Sequence, residues 1–121
     1  MMTARYIVHD VDAAVRFYVE ALGFTLRQQF GPAMAIVEHD GLVLWLAGPA
    51  ASASRAMPDG RKPEPGGWNR IVLQMNGLDE MISRLRARGV PFRNDIVSGP
   101  GGRQILCEDP SGNVVELFEP G

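Results

Sequence analysis

Glu116 is the one carboxylate inside the apolar run Val114-Val-Glu-Leu-Phe118, where a charged oxygen serves as a general base, a cation ligand or half of an internal ion pair. Arg5 and Arg70 open two other apolar runs and are candidate hydrogen-bond donors to a ligand or to that carboxylate. The two histidines, His9 and His39, each precede an aspartate, Asp10 and Asp40. One falls at a strand-to-helix turn and the other before a tight Asp40-Gly41 hairpin, so both read as surface turn residues. A repositioned metal site built from His9, His39 and a carboxylate finds no support in their spacing. Cys107 is the only cysteine, which excludes an intrachain disulfide, and in an apolar strand it reads as a small buried hydrophobe. No serine-histidine-acid or cysteine-histidine set is visible.

The elements that must position these groups come in two copies. Gly41-Leu-Val-Leu-Trp-Leu-Ala-Gly-Pro49 parallels Gly112-Asn-Val-Val-Glu-Leu-Phe-Glu-Pro120, so Trp45 takes in the first copy the slot of Glu116 in the second. Asp10–Gly23 likewise parallels Gly77–Gly89, the first being one residue longer. Val11, Ala14, Val15, Tyr18 and Leu22, and in the second copy Leu78, Met81, Ile82 and Leu85, recur at three-four spacing. Each segment ends on a glycine suited to a left-handed cap, and the pattern predicts two helices.

Apolar runs Arg5–Val8 and Arg70–Met75 precede the helices. Thr25–Phe30, Ala33–Glu38 and Leu42–Ala47 follow the first helix, and Phe92–Val97, Arg103–Cys107 and Asn113–Phe118 follow the second. Gly31-Pro32, Asp40-Gly41, Gly99-Pro-Gly-Gly102 and Asp109-Pro-Ser-Gly112 supply turn chemistry between them. The reading is an α+β chain of strand-helix-strand-strand-strand, twice. With 121 residues the two modules, 1–47 and 69–121, form one domain, joined by an Ala-, Ser-, Pro- and Gly-rich linker over 48–68. That linker is either a plain crossover or a functional arm. Trp68 at its end either packs it down or covers a ligand.

A net charge of −2 leaves no basic footprint for nucleic acid or an anionic membrane. No leader and no run of membrane-spanning length is present, so a cytoplasmic protein is the expectation.

The chain resembles the vicinal oxygen chelate superfamily, which includes glyoxalase I, bleomycin-resistance proteins and extradiol dioxygenases. Val8-His-Asp-Val-Asp-Ala-Ala-Val-Arg-Phe-Tyr18, Leu22-Gly-Phe24 and above all the Asp109-Pro-Ser-Gly-Asn-Val-Val-Glu-Leu117 string carry the resemblance. It implies paired βαβββ modules whose curved mixed sheets enclose a cavity, commonly in a homodimer. It also implies where the metalloenzymes of the family would hold a divalent ion, and here those four slots are Thr3, Trp45, Arg70 and Glu116. One carboxylate beside a guanidinium is a poor cation site, so no metal and no other cofactor is expected.

Period-two alternation assigns faces. With Glu116 pointing into the expected cavity, so do Phe118, Trp45 and Ala47, then Thr3, Arg5 and Ile7, and Arg70, Val72 and Gln74, with Trp68 nearby. A mixed surface of this kind suits a small aromatic or polycyclic ligand, with Trp45 stacking and Arg5, Arg70 and Gln74 donating. Against that stand the plainer readings of Trp45 as core filling and of Arg70–Glu116 as an internal ion pair. The functional expectation is a metal-free protein that sequesters a drug or secondary metabolite, as in antibiotic resistance. The alternative is a glyoxalase-like lyase, isomerase or dioxygenase with Glu116 as base or metal ligand.

Overall fold

A computed structural model describes residues 2–121, among which two four-stranded sheets and two principal helices form. The first sheet is built from β1 (Thr3–Ile7), β2 (Thr25–Phe30), β3 (Met34–His39) and β4 (Leu42–Ala47), in the spatial order β1-β4-β3-β2. The second uses β5 (Ile71–Gln74), β6 (Val97–Gly99), β7 (Gly102–Glu108) and β8 (Val114–Pro120), in the order β5-β8-β7-β6. In each, the first strand runs parallel to the last and the other pairs are antiparallel. The α+β reading and the twofold repeat of βαβββ are therefore both present.

The chain separates into one compact unit ending at Gly66 and a second over Gly67–Gly121. Within the first, Ala35, Val37, Leu44 and Leu46 are fully buried and alternate with half-buried Ile36 and Trp45. The buried set faces α1 (Val11–Arg16), which packs on β3 and β4. Asp10 caps α1, its Oδ1 accepting from the Ala13 N–H at 3.1 Å. The helix does not stay regular, because Phe17–Ala21 widens into a π-helical turn before Gly23, at φ 81°, ends it. In the second unit α2 (Leu78–Ala87) buries Leu78, Ile82 and Leu85 and packs on β8. Its N-cap, Gly77, has no side chain to offer, and Glu119 of β8 accepts the Leu78 N–H at 3.0 Å instead.

Two expected strands are corrected. Phe92–Val97 is not a strand: only an isolated bridge joins Phe92 to Cys107, and β6 begins at Val97. Asn94 explains the break, since its Oδ1 takes the Leu106 N–H at 2.9 Å, a donor that a paired strand would have bonded through its backbone. Arg70 lies one residue before β5 rather than in it. The linker carries a single 3-10 turn at Ser52–Ser54. The hairpin at Asp40-Gly41 has positive φ at both residues, 48° and 81°, as a two-residue loop between right-twisted strands requires.

Candidate functional site

Strand register places the candidate residues. In the first unit Trp45 of β4 lies between Arg5 of β1 and Ile36 of β3, and the Arg5 guanidinium sits over the indole at 4.9 Å from its centre. Thr3 pairs with Val43 and Ile7 with Ala47, so all seven share the face turned away from α1. Trp45 is half-buried and Arg5 exposed. One face of the indole is thus already covered by a cation.

In the second unit Glu116 of β8 lies opposite Val72 of β5 and Leu106 of β7, with Gln74 paired to Phe118. Glu116 is 7% exposed. Arg70 Nε donates to Glu116 Oε1 at 3.0 Å, its Nη2 lies 3.0 Å from the same oxygen, and its Nη1 donates to the Trp68 carbonyl at 3.2 Å. The carboxylate is therefore half of an internal ion pair. Val72 and Gln74 are exposed, and Phe118 is half-buried.

The register also makes the repeat exact in its slots. Trp45 stands opposite Arg5 as Glu116 stands opposite Val72, and Thr3 and Arg70 lie two residues upstream of those partners. The chemistry of these four positions does not suit a divalent ion: Thr3 and Trp45 in the first unit offer only a hydroxyl and an indole, and in the second Arg70 already engages Glu116, the one charged oxygen donor of the set. Among the described residues no group of three or more His, Cys, Asp or Glu side chains is placed to hold a metal.

The histidines lie elsewhere. His9 is exposed just beyond β1, beside the folded-back linker. His39 is corrected from a surface turn residue: it ends β3 half-buried, stacked on Phe24 at 5.0 Å and 28°, with Asp40 at 3.5 Å. Cys107 is fully buried, and burial pushes its thiol up to about 12. The Asp109-Pro-Ser-Gly-Asn113 string is a turn: Asp109 Oδ1 accepts from the Ser111 and Asn113 N–H groups at 2.8 and 2.9 Å, and Oδ2 accepts from the Asn113 amide at 3.0 Å. That motif holds the start of β8, and so the depth of Glu116, without doing chemistry itself.

Sequence reasoning missed Arg93. Its guanidinium lies under the Trp68 ring at 4.6 Å, pairs with Glu108 at 2.7 Å, and donates to the carbonyls of Gly67 and Gly112 at 2.7 and 3.0 Å. Trp68 is thereby held by one face while remaining 67% exposed. The signal was hidden because Arg93 falls in the segment misread as a strand, where alternation assigns no useful direction.

Comparison with known proteins agrees with this architecture. The family model described as Glyoxalase/Bleomycin resistance protein/Dioxygenase superfamily matches residues 2–117. The chain is similar to TnmS3, an antibiotic binding protein from Streptomyces sp. CB03234, at 29% identity and TM-score 0.69, covering 100% of this chain and 97% of that one. It is similar at 23% identity and TM-score 0.72 to lactoylglutathione lyase from Agrobacterium tumefaciens, covering 98% and 92% of the two chains, a likeness of fold. Among curated proteins it is similar to Virulence protein STM3117 of Salmonella typhimurium, 24% identical over 93% of this chain and 78% of the relative.

Proposed function

The chain belongs to the Glyoxalase/Bleomycin resistance protein/Dioxygenase superfamily, and within it we propose a metal-independent binding protein that sequesters a small aromatic or polycyclic compound, a drug or secondary metabolite, against Trp45. The observation that carries this reading is the filling of the four ligand slots. Thr3 and Trp45 offer no anionic donor, and Arg70 neutralises Glu116, so the one acid among these four positions is held in an internal pair. What remains on the helix-free face of the first sheet is a largely aromatic and apolar surface around Trp45, on which Arg5 engages no carboxylate among the described residues, a composition that suits an organic ligand. The likeness to a Streptomyces antibiotic binding protein over the whole of both chains supports the same class. Such a sequestering protein would act in the cytoplasm, as a homodimer.

Titration of intrinsic tryptophan fluorescence against a panel of aromatic antibiotics and metabolites tests it, with Trp45 and Trp68 the only reporters. Burying the indole against a flat ligand contributes about 1.5 to 3 kcal/mol, with about 1 kcal/mol more from stacking. Trp45→Ala should therefore weaken binding by more than about tenfold while leaving the fold intact. If no compound binds, and a substrate is instead turned over in a reaction abolished by Glu116→Gln, the protein is a lyase, isomerase or dioxygenase and the sequestration reading falls.

A further inference from the structure

The helix-free face of the first sheet is graded in its chemistry. One row across β2, β3, β4 and β1 is Phe30, Met34, Ala47 and Ile7, apolar throughout. The next row is Gln28, Ile36, Trp45 and Arg5. The third row carries Glu38, whose carboxylate is taken up by Arg27 Nε at 2.9 Å. Arg5 is therefore the cation on this face that engages no carboxylate among the described residues; its one contact of note is the Trp45 ring.

A flat ligand laid on Ile36 and Met34 toward Phe30 strips water from Arg5 at its edge. Left without a counter-charge, that desolvated guanidinium costs binding energy, whereas an anionic oxygen on the ligand offsets the cost. The indole already holds the guanidinium in place, so little side-chain entropy remains to be lost when it forks onto an oxygen pair. Resting on the aromatic-binder reading, we propose that the ligand is an aromatic acid, a fused ring system bearing a carboxylate or an ionised phenol, with its anionic oxygen on Arg5 and its rings running toward Phe30.

The test is calorimetric titration of two probes of one skeleton, anthracene-9-carboxylate and the neutral anthracene-9-methanol, into wild type, Arg5→Gln and Arg5→Lys. A charge-assisted hydrogen bond predicts that wild type favours the acid by about tenfold or more, and that this preference disappears in Arg5→Gln and survives in part in Arg5→Lys. Acid affinity should also fall as salt is raised. Equal affinity for both probes on wild type, or a preference that persists in a folded Arg5→Gln, overturns the acid assignment while the aromatic-binding reading stands. Failure of both probes to bind wild type removes the aromatic-binding reading, and the acid assignment with it.

Discussion

Arg70 and Glu116 make a pair whose worth depends on which partner is removed. Glu116 is 7% exposed, so Arg70→Ala leaves a carboxylate largely shielded from water with its principal donor gone. Orphaning it should cost about 1 to 3 kcal/mol, discounted because the Arg70 side chain is 29% exposed. The double variant Arg70→Ala/Glu116→Gln should recover part of that loss, and urea unfolding of the three proteins measures it; equal midpoints for wild type and Arg70→Ala would show the pair to be idle. Cys107 gives a second check. With its thiol at about 12 and its side chain fully buried, alkylation at pH 8 should proceed only as fast as the protein opens, and fast stoichiometric labelling of folded protein would contradict the packing. Both residues were legible in the sequence, because an isolated carboxylate and a lone cysteine in apolar strands have few outcomes. The cation over Trp45 and the one under Trp68 were not, since alternation gives a face but no side-chain conformation.

The two helices show how differently one repeat can be finished. α1 is capped by its own sequence through Asp10, whereas α2 borrows Glu119 from a strand. The Arg103 guanidinium beside Glu119, and then the Leu78 N–H, hold its carboxyl below its ordinary value of 4.5. A carboxyl lowered on folding contributes stability that is fully present above that ordinary value and is lost as pH falls through the lowered one. Urea midpoints of wild type and Glu119→Gln should therefore differ at pH 7 and converge as the pH drops toward 3; a gap constant over that range would dismiss the tertiary cap. Helix positions and the turn glycines were readable from period and punctuation. The borrowed cap was not, since it joins residues 41 positions apart. The false strand at Phe92–Val97 failed for a local reason, a single asparagine able to replace a backbone acceptor.

At the scale of the molecule, the metal slots predict that purified protein carries no stoichiometric divalent ion and that a chelator leaves its melting temperature unchanged. Elemental analysis finding one zinc, nickel, iron or manganese per chain would overturn the binding-protein reading. The proposed homodimer predicts twice the mass of a 13.2 kDa chain by light scattering at micromolar concentration, and a monomer mass would refute it. The fold was legible because the repeat doubles most signals: turn motifs and apolar runs have counterparts that support their roles, and only at Phe92–Val97 did the counterpart strand mislead.

One of those counterparts is out of step. From the capping residue to the left-handed glycine the first helix runs from Asp10 to Gly23 and the second from Gly77 to Gly89, a surplus of one residue in the first. The surplus is lodged in the turn at Phe17–Ala21, where the Leu22 N–H reaches back to the Phe17 carbonyl at 3.3 Å. The closing bond past the glycine shows the same offset: Phe24 returns six residues to Tyr18, while Val90 returns five to Leu85. An α-helix cannot take in a residue without rotating everything beyond it by about 100°. A wider turn swallows the addition in place and leaves the strands on either side in register. The halves of this chain thus differ in length by one residue, which that turn takes up, and excising one residue from it is the edit most apt to bring the two copies to equal length.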